Sequence, residues 1–235
     1  MTVLTTLRRD LRAARERDPA ARSALEIIVC YPGVHAVWGH RVSHWLWRHH
    51  LKLPGRAFAE LTRLLTGVDI HPAATLGPGL FIDHATGVVI GETAEIGADV
   101  TIYQGVTLGG TSLGHGKRHP TVGDRVIIGA GAKALGPITI GDDSRVGANA
   151  VVVKPVPPGS VVVGVPGQVI ARSHPRPPTA PPDLDHAVLP DLVGVSIQSL
   201  LTRVARLESM LDGHLASTAI HAPSAGVWHG EDFSI

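Results

Sequence analysis

Between Ile70 and Pro166, small aliphatic residues return every six positions. One register reads Ile70, Leu76, Ile82, Val88. A second, shifted by two, reads Ile90, Ile96, Ile102, Leu108. After an interruption a third reads Val122, Ile128, Ala134, Ile140, Val146, Val152. Glycine follows directly in Leu76-Gly77, Ile90-Gly91, Ile96-Gly97, Leu108-Gly109, Val122-Gly123, Ile128-Gly129, Ile140-Gly141 and Val146-Gly147. A period of six fits neither the helical period of about 3.6 nor the strand alternation of two. It is the period of a coil of parallel strands, the hexapeptide form of a parallel β-helix. Three hexapeptides close one triangular turn, and each sends one aliphatic side chain inward. Turns stacked about 4.8 Å apart pair every backbone group with the turns above and below. Glycine beside the inward residue suits a corner that needs a positive φ or a close backbone approach. A Gly- and Val-rich sandwich would alternate by two and could not hold three registers in phase.

Composition narrows the setting. The 235 residues carry a formal net charge of +1, without the basic footprint of a nucleic-acid binder. The single cysteine, Cys30, has no intrachain disulfide partner, which suits a reducing compartment. The Arg-studded N-terminus lacks the apolar segment of a secretory signal, and no run approaches the roughly 20 apolar residues of a membrane span. The expectation is a soluble cytoplasmic protein.

The chain divides into a helical N-terminal domain (1–67), the coil (68–172), a stiff Pro-rich linker (173–186), an amphipathic helix (187–212) and a flexible tail (213–235). Leu4, Leu7, Leu11 and Ala14 predict a helix over 3–17. Residues 23–52 read as two helical pieces broken at Pro32-Gly33, with Val37, Val42, Trp45 and Leu46 as a packing face. Pro54-Gly55 reads as a further break, before a helix over 56–66 that carries Phe58, Leu61, Leu64 and Leu65 and stops at Gly67. Such a cap shields the open edge of the first turn. The fold class is therefore mainly β with α. In the amphipathic helix Val193, Ile197, Leu200, Val204, Leu207 and Leu211 are spaced 4, 3, 4, 3, 4, a heptad seam. That seam suits either a coiled coil or a helix packed on its own subunit.

Chemistry belongs where the period fails. Phase is lost between Leu108 and Val122, a step of 14 where 6 is expected, so residues 109–121 leave the coil as a polar loop. Near the first turns stand two acid–histidine elements, Asp69-Ile70-His71-Pro72 and Asp83-His84-Ala85-Thr86-Gly87. A histidine beside a carboxylate is the usual means of taking a proton from a hydroxyl, the acid orienting the ring and stabilising imidazolium. Equally, Asp69 to Pro72 could only cap the start of the coil. Arg118 in the loop offers planar donors for a carboxylate. The histidines at 35, 40, 44, 49 and 50 lack the compact ligand spacing of a zinc helix, and no metal site is expected.

These segments carry a resemblance. Asp69-Ile70-His71-Pro72-Ala73, Asp83-His84-Ala85-Thr86-Gly87, Gly91-Glu92-Thr93-Ala94, Val106 to Thr111, Arg118-His119-Pro120, Gly129 to Lys133 and Gly164-Val165-Pro166 resemble serine O-acetyltransferase, as do Arg17-Asp18-Pro19-Ala20 and His44-Trp45-Leu46-Trp47 upstream. The resemblance spans about residues 15–172. It implies a left-handed β-helix homotrimer that moves acetyl from acetyl-CoA to the hydroxyl of L-serine, in cysteine biosynthesis. His84 would be the general base and Asp69 its partner acid. Asp18 and Asp83 would take the serine ammonium, with Arg118 and His119 near its carboxylate. Gly110, Thr111, Ala130 and Ala148 would line the acetyl-CoA strip between neighbouring subunits. Longer family members begin with a further helical region that joins two trimers, so trimer and dimer of trimers both remain open. The family's C-terminal isoleucine, here Ile235, enters the active site of O-acetylserine sulfhydrylase, which implies that enzyme as a partner.

Other readings stay in view. A hexapeptide acetyltransferase for a sugar or antibiotic would not need Arg118 or the acidic pair. A γ-type carbonic anhydrase would need three zinc-binding histidines, for which His84, His115 and His119 are the candidates. A purely structural coil would make the Asp–His elements a coincidence.

Overall fold

The computed structural model describes residues 2–172 and 192–211. Four helices come first: α1 (Val3–Arg17), α2 (Ala24–Cys30), α3 (Pro32–Arg48) and α4 (Lys52–Thr66). Fifteen short strands follow and stack into three flat faces of a left-handed prism. The first face holds β1 (Asp69–Ile70), β4 (Val89–Ile90), β7 (Thr107–Gly109), β10 (Lys133–Leu135) and β13 (Val151–Val152). The second holds β2 (Thr75–Leu76), β5 (Glu95–Ile96), β8 (Thr121–Val122) and β11 (Thr139–Ile140). The third holds β3 (Phe81–Ile82), β6 (Thr101–Ile102), β9 (Ile127–Ile128), β12 (Arg145–Val146), β14 (Ser160–Val163) and β15 (Gln168–Arg172). All pairs are parallel except β14–β15, a hairpin that closes the third face and covers its edge.

Each register runs round the coil, so its successive members fall in turn on three inward columns. Ile70, Ile90, Leu108, Ala134 and Val152 stack on the first face. Leu76, Ile96, Val122 and Ile140 stack on the second, and Ile82, Ile102, Ile128, Val146 and Val162 on the third. One expected member moves. Val88 does not take the place above Ile70 that a step of six from Ile82 predicts; Ile90 stands there, and Val88 is buried at the start of that face, its carbonyl accepting from Asp69 N at 2.9 Å. The two-residue slip therefore lies before Val88. Asp83 and Gly87 are four apart where their stacked counterparts Tyr103 and Gly105 are two apart, so the extra pair is His84-Ala85. Both adopt left-handed backbone, with φ of 56° and 55°.

The repeat glycines serve close approach. A Cβ on Gly77 would overlap the backbone of Gly97 and lie 2.8 Å from Ala98 N. Positive φ falls instead on other corner residues, Asp99, Arg125 and Asp143 among them.

The helices cap the first turn by charge and by packing. Ala36 and Val37 of α3 join the core around Val68 and Ile70. Asp10, 1 % exposed, accepts from Arg41 at 2.8 and 3.0 Å and from Gly79 N at 2.9 Å. Arg17 donates to Gly79 O, Val100 O and Thr101 Oγ1 at 3.1–3.2 Å, and Arg9 pairs with Asp99. The α3 histidines are structural. His44 Nδ1 meets Pro72 O at 2.7 Å, and burial pushes the His40 imidazole down to about 3, which keeps it neutral. Two helical expectations are corrected. Pro54-Gly55 lies inside the first turn of α4, where a missing N–H costs nothing and Gly55 can sit against Ser43 O. Val42, Trp45, Leu61, Leu64 and Leu65 are exposed rather than packed, because α3 and α4 turn other sides inward.

Past the linker, α5 (Leu192–Leu211) is described as a separate unit. Among the described residues no helix is long and apolar enough to cross a membrane. Ile235 and the Pro-rich linker lie outside the described residues.

Gly77→Ala should lower stability by about 2–4 kcal/mol, since the added methyl meets only backbone that cannot yield. Chemical denaturation measures it, and an unchanged midpoint would contradict the close-approach account.

Candidate functional site

The corner between the third and first faces carries the first cluster. The His84-Ala85 bulge pushes the His84 ring outward, leaving its side chain 73 % exposed with Nε2 3.8 Å from Asp83 Oδ2. Two consecutive left-handed non-glycine residues cost roughly 1–3 kcal/mol each, strain that the stack above and below holds in place. Asp69 opens β1 beneath the same corner, its N–H bonded to Val88 O. No hydrogen bond joins Asp69 to His84 among the described residues; the acid beside His84 is Asp83.

Asp18 reaches this corner from the end of α1. Its Oδ1 accepts from Ala20 N at 2.8 Å, and its Oδ2 accepts from the Tyr31 hydroxyl at 2.5 Å. Burial pushes the Asp83 carboxyl up, the charge of Asp18 adds to the rise, and His84 opposes it. Burial raises Tyr103 and Tyr31 as well, and Asp18 and Asp83 reinforce both shifts. Asp18 and Asp83 thus lie close enough for the charge of one to act on the other, an arrangement that suits a cation. Neither Tyr31 nor Tyr103 was picked out by sequence reasoning; Tyr31 follows a helix and bears no motif.

The second cluster occupies the next corner, between the first and second faces. Residues 110–120 leave the prism after Gly109 and return at β8. Their end is anchored on Thr93, whose Oγ1 accepts from Arg118 N at 3.0 Å and His119 N at 3.1 Å. His119 Nδ1 accepts from Thr93 N at 3.2 Å, so its proton is assigned to Nε2. The ring lies over Gly91, where a Cβ would fall on Cδ2 and Nε2. Burial, then Arg118, hold the His119 imidazole below its ordinary range. Arg118 pairs with Glu92, whose carboxyl that hydrogen bond lowers. Arg118 Nη1 is buried without a hydrogen-bond partner among the described residues, a donor held ready for an anion. Glu92 and Thr93 were in a motif the sequence offered, but their role as anchors needed the stacking.

The clusters do not meet within one chain. Asp83-His84 ends the third face, Arg118-His119 begins the second, and the whole first face separates them, roughly 15–20 Å of extended chain. Gly110 and Thr111 are exposed at the root of the loop, with Thr111 Oγ1 over Gly136. Ala130 and Ala148 stack on the His84 corner, Asn149 N donating to Ala130 O at 2.8 Å.

A prism of six-residue repeats with an acid–histidine corner and an extruded Arg–His loop defines an acyl-transferring hexapeptide protein. Residues 119–154 match the family of bacterial transferase hexapeptides (six repeats). The chain belongs to the serine acetyltransferases: it is 70% identical over 233 residues to serine acetyltransferase of Mycobacterium tuberculosis, covering 99% of this chain and 100% of that one. Among solved structures it is similar to Neisseria gonorrhoeae serine acetyltransferase in complex with serine (45% identity, TM-score 0.69, 72% of this chain and 69% of that one). It is likewise similar to the Brucella abortus enzyme in complex with coenzyme A (43%, TM-score 0.71, 73% and 68%).

Thr93→Ala removes the acceptor shared by two loop amides. Amide exchange at Arg118 and His119 should accelerate by about tenfold or more, equivalent to one lost buried hydrogen bond, while the β-helix amides keep their protection. Unchanged exchange would mean that the loop is held elsewhere.

Proposed function

We propose how this chain carries out the transfer of acetyl from acetyl-CoA to L-serine: the site is completed by two protomers of a trimer. The His84 corner of one protomer faces the Arg118 loop of the next. The observation behind this reading is the division of the substrate's complement. The carboxylate pair Asp18 and Asp83, suited to an ammonium, sits at one corner, and Arg118 Nη1, suited to a carboxylate and unsatisfied among the described residues, sits at another. A single L-serine is far too short to span one face.

In that composite site Asp18 and Asp83 hold the ammonium, and Tyr31 keeps Asp18 turned toward it. Arg118 takes the carboxylate, with the His119 Nε2–H beside it. His84 removes the hydroxyl proton as the serine oxygen attacks the thioester carbonyl carbon. The tetrahedral oxyanion is held by backbone N–H groups near Gly109-Gly110. Collapse breaks the carbon–sulfur bond, and the His84 imidazolium returns its proton to the departing thiolate, giving O-acetyl-L-serine and CoA. Asp69, below the same corner, supports the imidazolium once the neighbour closes over it; catalytic hydrogen bonds commonly tighten only in the complex. Gly110, Thr111, Ala130 and Ala148 line the acetyl-CoA strip. The lone Cys30 supports a cytoplasmic setting. Ile235 remains the proposed contact for O-acetylserine sulfhydrylase.

CoA release from acetyl-CoA should require L-serine, and His84→Ala should lower kcat by about 10²–10⁴-fold. His84→Ala and Arg118→Ala chains, each nearly inactive alone, should regain activity when refolded together, because mixed trimers contain some wild-type sites. Serine-independent release would remove the reaction; failure to complement would remove only the two-protomer site.

The ammonium needs Asp83 ionised, and its raised pKa means that protonation begins at a higher pH than for an ordinary aspartate. KM for serine should therefore climb on acidification earlier than an exposed carboxylate predicts. Burial lifts Asp83 most, and Asp18→Asn removes the charge that adds to that rise, so the climb should begin at lower pH, though from a weaker KM. A KM profile flat down to about pH 4, the ordinary aspartate range, would contradict the assignment.

A further inference from the structure

The catalytic prism leaves α5 without a role. Within that helix the central seam residues Ile197, Leu200, Val204 and Leu207 are 45–60% exposed, so nothing among the described residues covers them. Their order fixes the heptad. Steps of three run from Ile197 to Leu200 and from Val204 to Leu207, so Ile197, Val204 and Leu211 are a positions and Val193, Leu200 and Leu207 are d positions. In the two central heptads the a residues, Ile197 and Val204, are β-branched and the d residues, Leu200 and Leu207, are leucine, a combination that favours parallel two-stranded pairing.

The flanking charges point the same way. Arg203 falls at g and Glu208 at the following e. In a parallel, in-register coil a g residue meets the e residue five positions on in the partner, so Arg203 of each helix reaches Glu208 of the other. Within one helix a separation of five cannot be bridged, since side chains meet at three or four. Both side chains are exposed. An antiparallel pair would set g against g and e against e and would leave neither charge matched.

We propose that α5 is an association helix whose apolar seam pairs, parallel and in register, with α5 of a second copy of this chain. The prism assembles through its own faces and performs the chemistry; α5 holds copies together from beyond the linker. The pairing does not depend on how the active site is divided.

The test uses the full chain with Cys30→Ser, because Cys30 is exposed and free. Leu200→Cys at d should give disulfide-linked chains in good yield under a mild oxidant. Thr202→Cys, on the opposite side of the helix, should give few. Arg203→Glu should reduce the Leu200→Cys product by setting a carboxylate against Glu208 of the other helix, and adding Glu208→Arg should restore it. Serine-dependent CoA release should stay at the wild-type rate throughout, reporting an intact prism. Equal cross-linking at 200 and 202, or none at 200, would overturn the proposal. So would a charge reversal with no effect on the yield.

Discussion

Each turn of the prism must lie flat on the one beneath it. That constraint orders everything else in the coil. With strands of only two or three residues through most of the stack, no strand could persist alone, and stability comes from turn-to-turn hydrogen bonds repeated up three faces. The inward columns fill the interior with Ile, Val and Leu, while glycine beside them lets adjacent corners approach without a Cβ. A deviation in one turn cannot be smoothed out locally, because neighbouring turns dictate where the chain resumes. Extra residues must be expelled sideways, and this chain uses both expulsions. A two-residue excess makes the His84 bulge, and an eight-residue excess makes the Arg118 loop. The rigid stack thereby fixes the two corners of the proposed site, whose own backbones would not hold that shape alone.

The open end of such a stack is a hazard, and the helical cap answers it with buried charge. Asp10 and Arg41 form a pair that also satisfies Gly79 N and Gly77 O, so the bridge ties helices to coil backbone. Removing one partner of such a pair would leave an uncompensated buried charge, which costs far more than the net gain from the intact pair. Arg17 extends the same logic into the second turn by taking Val100 O. The residue after it, Asp18, is thereby delivered to the His84 corner. Cap and site share an anchor, and the proposed ammonium-binding half depends on the cap being seated.

Much of this was legible in the chain. Up to Val152 the three registers predicted every inward position except that of Val88, since a period locates a slip only to within one repeat; Val162 lay beyond them. Backbone geometry was needed to assign it to His84-Ala85. The Arg118 loop was visible as lost phase, but its anchor on Thr93 lies 25 residues away in sequence and one turn away in space. Tyr31 and Tyr103 were invisible because their roles come from stacking and helix placement, which leave no local pattern. Exposure of Trp45 and Leu64 could not be read either: a helix with several apolar sides does not announce which one faces its own core.

The unsatisfied groups show how far a single chain takes the site. A buried Arg118 Nη1 without a partner among the described residues and a crowded carboxylate pair are each unfavourable in isolation, and evolution removes such costs unless something offsets them. The offset must bring a carboxylate to one corner and a cation to another, and an amino acid carries both. Because the two corners of one prism are too far apart for a single small molecule, the proposed site draws its two corners from different protomers. In the proposed trimer, strain at His84 and the Arg118 Nη1 left without a partner among the described residues belong to one design, in which the stack sets the geometry and assembly supplies the complement.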